Sequence, residues 1–263
     1  MSIGTAKPSA QELGSVPHYF INSHSIRQEF NAGDYEEEAL KLLDKLFLEK
    51  NIVILTGGSG LYIKAVTEGF DDLPKAAPGV REQLNKKLEE EGLTPLREQL
   101  EQLDPIYHQE VDLNNPQRII RALEVCLSTG RPFSSYKSSK KKDRAFGIIK
   151  IGLTEDRQEL YDRINKRVDM MIQSGLVEEV KALLPYRHLN ALQTVGYAEI
   201  FDFLDGKITL DKAVDLIMQN TRRYAKRQLT WLRREQGIRW FKPEEINSML
   251  EYIQKETGFK PEL

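Results

Sequence analysis

The sequence predicts an α/β protein with a parallel sheet in its core and an all-helical insert. Helix-like segments and short apolar, β-rich segments alternate near both ends of the chain, which is typical of strand–helix units. Residues 77–145 differ, because they contain three helical patterns and no strand pattern. We therefore expect a core domain formed by residues 1–76 and 146–263 and a helical insertion domain over residues 77–145.

The first half of the predicted core is a helix, a strand and a glycine-rich turn. Residues 35–50, YEEEALKLLDKLFLEK, repeat apolar side chains at helical spacing, and the NIVILT segment at 51–56 predicts a buried strand. The TGGSG turn at 56–60 then leads into an apolar, helix-like stretch. A strand that breaks at glycines and continues as a helix leaves unpaired N–H groups, which makes this turn a candidate site for an anion or a polar substrate edge.

This glycine turn does not have the pattern of a nucleotide-triphosphate P-loop. Such a loop needs a lysine followed by serine or threonine directly after its last glycine, so that an ammonium reaches the phosphates and a hydroxyl reaches Mg²⁺. Here Gly60 is followed by Leu61 and Tyr62, and the 263 residues contain no G-x-x-x-x-G-K-[ST]. The turn is therefore predicted to serve another purpose.

The second half of the core resumes the alternation. FGIIKIGL at 146–153 predicts a strand, two helices separated by Gly175 follow it, and a longer helical pattern at 198–234 is split near Asp205-Gly206. IRWF at 238–241 predicts a last short strand. The polar, Ser/Lys-rich segment 128–144 predicts a mobile connection with solvated lysines that returns from the insert to the core.

Composition excludes several classes of protein. The 38 basic and 40 acidic side chains leave a net charge of −2, so overall charge says nothing about partners. A single cysteine excludes an internal disulfide, no apolar run approaches a bilayer span, and the first residues lack a signal-peptide pattern, so we expect a cytoplasmic protein without membrane contact. The histidines show no metal-ligand spacing, which argues against a zinc site: His18, His24, His108 and His188.

A basic stripe is the strongest chemical signal in the chain. Within IMQNTRRYAKRQLTWLRREQG at 217–237, four polar side chains recur at helical spacing: Arg223, Arg227, Thr230 and Arg234. A solvated helix face usually mixes signs for ion pairing. No acid occurs between Asp215 and Glu235, which favours phosphate binding over an ordinary solvated face.

Two further clusters leave alternatives open. In NNPQRIIRALEVCLSTG at 114–130, Gln117, Arg118 and Arg121 project from one end of a capped helix, where they could hold a phosphate or base edge or simply form a surface turn. Arg163 and Arg167 lie one turn apart and could clamp a diphosphate or form an ordinary surface pair.

Six segments together resemble the tRNA dimethylallyltransferase family. They are IGTAKPS at 3–9, LTGGSGLYIKAV at 55–66, LPKAAPGVR at 73–81, NNPQRIIRALEV at 114–125, LQTVGYAEI at 192–200 and RRYAKRQLTWLRR at 222–234. The resemblance implies a P-loop NTPase-like α/β core with a helical insertion. It also implies transfer of a dimethylallyl group from dimethylallyl diphosphate to the exocyclic amine of the adenosine 3′ to the anticodon of tRNA, with Mg²⁺, by a monomeric enzyme.

The resemblance also implies roles for individual residues. Ser59 stands where the family usually has threonine, close to the reacting amine, and is the catalytic candidate. Contacts with the tRNA anticodon stem-loop are implied at Ser59, Arg81, Gln117, Arg118, Ile119, Ile120, Arg121, Gln193, Gly196, Tyr197, Lys226, Arg227, Gln228, Leu229, Thr230, Trp231, Leu232 and Arg233. Arg163 and Arg167 match diphosphate-binding arginines, and no residue of this chain matches a metal ligand.

One part of the family pattern has no counterpart in these residues. Family members carry a strand, a G-x-T-x-x-G-K-T loop, a helix and a second strand with the general-base aspartate before the IGTAKP segment. We therefore expect an N-terminally truncated core, apolar strand faces left uncovered, and little or no transfer activity from this chain alone. The alternatives are a catalytically inactive tRNA-binding remnant and a prenyltransferase acting on free adenine nucleotides.

Overall fold

The computed structural model describes residues 1–138 and 141–259. Parts of the predicted 128–144 connection and of the C-terminal tail therefore lie outside the described residues. The helices and strands, in chain order, are α1 (Ala10–Ser15), α2 (Ala32–Leu46), α3 (Gly60–Glu68), α4 (Val80–Glu91), α5 (Thr94–Leu103), α6 (Pro105–Glu110), α7 (Pro116–Thr129), β1 (Lys150–Leu153), α8 (Arg157–Gln173), α9 (Leu176–Ala182), α10 (Ala198–Leu204), α11 (Leu210–Leu232), β2 (Ile238–Phe241) and α12 (Ile246–Thr257). The predicted α/β fold with a helical insertion is confirmed.

The chain divides into two units. The first contains residues 1–66 and 146–263, and the second contains residues 67–145. The second unit therefore begins ten residues before the predicted boundary at 77. The reason is a set of contacts between residues 68–72 and the returning segment: the Lys142 N–H donates to the Glu68 carbonyl (2.8 Å), and the Ser138 N–H donates to Asp71 (3.0 Å).

The returning segment corrects a second expectation, because its described lysines are not simply solvated. Lys141 forms an ion pair with Glu68 (2.6 Å), and Lys142 forms one with Asp72 (2.7 Å). These acids precede the insert, and the lysines follow it. The pairs therefore tie the entry and exit of the second unit to each other.

The sheet of the first unit consists of β1 and β2, which run parallel, with Lys150 opposite Ile238 and Leu153 opposite Phe241. The predicted strand at 238–241 is confirmed, whereas β1 is shorter than the predicted 146–153. The predicted strand at 51–56 is wrong, since these residues have no strand pairing and the Ile54 side chain is 81% exposed. A strand needs a neighbour to satisfy its N–H and C=O groups, and among the described residues none pairs with this segment.

The core of the first unit lies where α8, α9, α10 and α11 meet. Its fully buried side chains include Leu176, Leu192, Ile200 and Ile217. Local signals place these helices: the Asp156 side chain caps α8, the Thr209 side chain caps α11, and Gly175 adopts a left-handed conformation (φ 94°) between α8 and α9. The helix ends that these local signals favour are therefore the ends of the helices that pack together in this core.

The second unit is a four-helix cluster built around α7. The Asn115 side chain caps α7 by accepting the Arg118 N–H (3.2 Å), and Gly130 ends the helix in the left-handed region, both as the sequence predicts. The apolar stripe of α7 is buried against α4 and α5, and it includes Cys126. The structure adds α6 to the three predicted helices, because Asp104 caps it and Pro105 occupies its first turn.

Candidate functional site

The glycine turn of the first unit is pressed against the basic helix α11. The Gln228 side chain donates to the Gly58 carbonyl (2.9 Å), and the Trp231 ring lies directly against Gly60. A Cβ atom at either glycine would overlap the facing α11 side chain. The lack of a side chain at Gly60 permits the close approach of the Trp231 ring, whereas at Gly58 the flexible end of Gln228 could shift. The turn brings the predicted catalytic Ser59 next to two predicted tRNA-binding positions.

Ser59 itself is exposed at the start of α3. Its carbonyl accepts the N–H groups of Tyr62 (3.0 Å) and Ile63 (3.1 Å), so it occupies the position at which the helix begins. Its hydroxyl is therefore presented at the positive end of the α3 dipole, in a place where a hydrogen-bonding group of a substrate can approach.

The basic face of α11 finds only uncharged partners in the described structure. Arg222 donates to the side-chain oxygen of Asn165 (2.5 Å) and Arg223 donates to that of Asn220 (3.2 Å). A shallow cavity of about 290 Å³ is lined by Lys226, Arg227, Thr230, Trp231 and Arg234. An array of cations that are not neutralised by neighbouring acids is suited to binding phosphates.

The predicted tRNA-binding positions on α11 differ in exposure. Gln228, Leu229, Trp231 and Leu232 are half-buried, whereas Lys226, Arg227, Thr230 and Arg233 are exposed. The stripe predicted from the sequence is therefore a real face of the helix. Its cations face solvent, and its apolar members lie at the edge of the core.

The predicted tRNA contact at Tyr197 needs correction, because its side chain has no exposed surface. Gly196 is also buried and adopts the left-handed conformation (φ 94°), whereas Gln193 is exposed and donates to the Arg187 carbonyl (2.7 Å). A buried phenol cannot reach an RNA at the surface. A contact from this segment would involve Gln193 or backbone groups.

Tyr197 instead belongs to a hydrogen-bonded cluster that holds the N-terminal turn. Its hydroxyl donates to Glu179 Oε1 (2.5 Å), which also accepts the Gly4 N–H (3.1 Å), and Glu179 Oε2 accepts the N–H groups of Ser2 (2.8 Å) and Ile3 (3.0 Å). Burial raises the pKa of Glu179, but these four donors outweigh it and hold the pKa below its ordinary value. Burial and the acceptor Glu179 raise the pKa of Tyr197 far above its usual range.

The two predicted diphosphate-binding arginines have different surroundings. Arg163 forms an ion pair with Glu155 (2.8 Å), so its charge is already compensated. Arg167 lines an open cavity of about 370 Å³ together with Lys7, whose ammonium donates to the Asn22 side chain. The apolar part of the wall is formed by Ile3, Leu13, Ile21, Met170 and Met171. Ser59 is not among the lining residues.

The second unit presents its own set of predicted contacts. Gln117 and Arg118 are exposed in the first turn of α7, and Arg81 and Arg121 both donate to the carboxylate of Glu124. The side chains of Ile119 and Ile120 are fully buried in the α7 core, so the expectation of a surface contact from these two side chains is corrected. The helix period decides this outcome, because these positions fall on the stripe that packs against α4 and α5.

Three residues that the sequence analysis did not single out are prominent in these clusters: Lys7, Glu124 and Glu179. Glu124 carried the clearest sequence signal, since it is an acid within an otherwise apolar helical stripe, LEVC. A buried acid needs compensating partners. Lys7 and Glu179 carried no such signal, because their partners come from distant parts of the chain.

Among the described residues, no group of three or more His, Cys, Asp or Glu side chains could hold a metal ion. Over the same residues, no helix combines the length and the apolarity that crossing a bilayer requires.

Comparisons with known proteins bear on both units. The family model described as IPP transferase matches residues 1–235. The chain is 50% identical over 259 residues to the tRNA dimethylallyltransferase of Christiangramia forsetii, covering 98% of this chain and 86% of the relative, and 48% identical over 253 residues to tRNA dimethylallyltransferase 1 of Bacteroides thetaiotaomicron, covering 96% and 82%.

Solved structures agree with this result. The chain is similar to the full-length tRNA isopentenylpyrophosphate transferase of Bacillus halodurans, with a TM-score of 0.67 and 35% identity over 97% of this chain and 82% of that one. A eukaryotic dimethylallyltransferase acting on tRNA shares the fold, with a TM-score of 0.78 and 22% identity over 98% and 70% of the two chains. The matched family model and the high identity to these relatives show that the chain belongs to the IPP transferase family.

Proposed function

We propose that this protein acts in the transfer of a dimethylallyl group from dimethylallyl diphosphate to the exocyclic amine of the adenosine 3′ to the anticodon in tRNA. The observation that carries the proposal is the contact between the Ser59 turn and α11. It joins an exposed hydroxyl to a helix face on which Arg222 and Arg223 donate to amide oxygens and, among the described residues, no acid forms an ion pair with the cations. Membership of the IPP transferase family and the names of the relatives support the same reaction.

The chemistry explains why these groups are needed together. The lone pair of an adenine amine is delocalised, so it attacks an allylic carbon only when it is well oriented and loses its proton. The departing diphosphate must be stabilised by cations. Arg167 and Lys7, at a cavity with apolar walls, form the described cluster that suits a short isoprenoid with a charged end.

The charged surfaces of the protein are the parts that would bind the RNA substrate. The target base must leave its stack, at a cost of roughly a few kcal/mol, which contacts to neighbouring phosphates and bases offset. The exposed α11 cations in the first unit, and Gln117, Arg118, Arg81 and Arg121 in the second, are the groups that we propose to bind the anticodon stem-loop.

We propose a requirement for Mg²⁺ and a monomeric enzyme in the cytoplasm, in keeping with a tRNA substrate and a single free cysteine. The described residues offer no fitting set of metal ligands, so none of them is assigned to Mg²⁺.

We further propose that residues 1–263 by themselves bind tRNA but transfer poorly. Two observations support this proposal. The sequence contains no G-x-x-x-x-G-K-[ST], and the sheet of the described structure has two strands, while the apolar segment 51–56 has no strand pairing. The same observations favour the second candidate, an RNA-binding protein without catalysis.

Two measurements on the purified chain test these statements. The first is the affinity for a labelled anticodon stem-loop RNA over a salt series, with a free adenine nucleotide as competitor. The second is prenylation of the same RNA by labelled dimethylallyl diphosphate. We expect salt-dependent binding that the nucleotide does not displace. Prenylation over many turnovers would confirm the transfer reaction and refute poor activity, whereas lack of binding, or displacement by the nucleotide, would refute tRNA as the substrate.

A further inference from the structure

Glu124 lies in the core of the second unit, yet both of its oxygens face arginines at the surface. Its side chain is 1% exposed and stands among the apolar side chains of α7. Oε1 accepts from Arg81 Nε, and Oε2 accepts from Arg81 Nη2 (3.1 Å) and Arg121 Nη1 (3.2 Å). One buried carboxylate therefore connects a guanidinium on α4 with another on α7.

This arrangement leaves the arginines accessible. Their side chains are 51% and 36% exposed, for Arg81 and Arg121 respectively. Glu124 accepts from both guanidinium groups at once. A buried carboxylate is costly unless it is paired, and the same pairing restricts the rotamers of two long side chains at the surface.

We propose that Glu124 is a positioning residue that fixes Arg81 and Arg121 as a paired site for backbone phosphates of the RNA. This inference rests on the proposed tRNA binding, because it needs an RNA ligand. A guanidinium binds phosphate best when its planar donors are already oriented. Ordering the two side chains before binding removes the loss of rotamer freedom that binding would otherwise incur.

Electrostatics alone predicts the opposite effect of removing Glu124. Glu124→Gln deletes a negative charge beside a polyanion, so Coulomb attraction by itself would tighten RNA binding. Loss of positioning would weaken it. The sign of the change in affinity therefore separates the two accounts.

The test measures the affinity of the full 263-residue chain for a fluorescein-labelled anticodon stem-loop RNA, by anisotropy over a salt series. We expect Glu124→Gln to weaken binding by about fivefold to tenfold. We also expect it to lower the steepness of log K against log salt by between about 1 and 2, one for each lost phosphate contact. The matched control is Glu82→Gln, which removes the same charge from an exposed position on α4 next to Arg81 and should leave binding unchanged or slightly tighter.

Two further variants distinguish the loss of positioning from a folding defect. Arg81→Lys and Arg121→Lys keep the charge at an exposed and a half-buried position but lose the planar guanidinium, and each should weaken binding severalfold. In a chain that carries both, Glu124→Gln should have no further effect. A purely structural role would lower the fraction of active protein without changing the salt slope, and that result would overturn the proposal.

The outcomes also separate this inference from the proposed function. If the wild-type chain binds the RNA and Glu124→Gln binds equally well or more tightly, only the positioning role is refuted. If the wild-type chain shows no salt-dependent binding, tRNA binding itself is refuted, and the positioning role with it.

Discussion

Replacing Glu179 by glutamine tests how the N-terminal turn is held to the first unit. The carboxylate of Glu179 accepts four hydrogen bonds, three from the N–H groups of residues 2–4 and one from the buried hydroxyl of Tyr197. The amide of glutamine has a single acceptor oxygen. Two of the four donors therefore lose their acceptor whichever way the amide is oriented, and the remaining two bonds lose the charge of the acceptor.

The expected loss in the free energy of unfolding depends on which donors lose their acceptor. The amide oxygen is expected to stay with Tyr197 and Gly4, because Tyr197 is fully buried and cannot find water. The N–H groups of Ser2 and Ile3 are exposed or partly buried and can bond to water instead. A hydrogen bond to a charged group contributes about 1.5–3 kcal/mol, and with this discount for solvent two such bonds give a loss of about 2 kcal/mol.

The assay is urea unfolding followed by tryptophan fluorescence. Trp231 and Trp240 are the two tryptophans of the chain, and both lie in the first unit, so their emission reports on the unit that contains Glu179. The matched control is Glu178→Gln, which removes the same charge from a neighbouring exposed position on α9. Equal free energies of unfolding for the two variants would refute the reasoning.

The pH dependence of unfolding provides a second readout of the same cluster. The pKa of Glu179 is lowered in the folded state from an ordinary value of 4.5, so its contribution is fully present above about that pH. The contribution is lost as the pH falls through the lowered pKa of the folded state. We expect the wild type to lose more stability than Glu179→Gln over this acidic range, and parallel curves would contradict the assigned role.

Three shorter predictions concern other contacts. Gly60→Ala should shift the tryptophan emission and lower the free energy of unfolding by about 1–3 kcal/mol, because its Cβ overlaps the Trp231 ring; an unchanged spectrum would contradict the close approach. Asp104→Ala should destabilise the second unit by about 2–3 kcal/mol in urea unfolding followed by circular dichroism, since it deletes a buried acceptor of the Ser134 N–H (2.6 Å) and hydroxyl (2.7 Å). Cys126 should react with a thiol reagent only after unfolding, because it is buried and burial raises its pKa; rapid reaction of the native protein would refute this.

Local signals in the sequence determined several elements correctly. As predicted, α7 begins after Asn115 and ends at Gly130, because a capping side chain and a left-handed glycine act within one turn of the chain. The strand at 238–241 and the basic face of α11 were also predicted correctly, since periodicity depends only on neighbouring residues. The segments that carry the family resemblance lie throughout the chain, and the matched family model agrees with them.

The other features of the fold and the site were decided only by the tertiary structure, because they depend on which distant residues come into contact. NIVILT has the composition of a buried strand, yet it stays exposed, since no described strand pairs with it. The sequence marks the turn around Gly58 and Gly60 as a candidate site for an anion or a polar substrate edge, but only the fold shows that a Cβ atom at Gly60 would overlap the Trp231 ring of α11. The roles of Glu124 and Glu179 depend on donors from other elements: a buried carboxylate is determined by its partners, and only the folded chain brings those partners together.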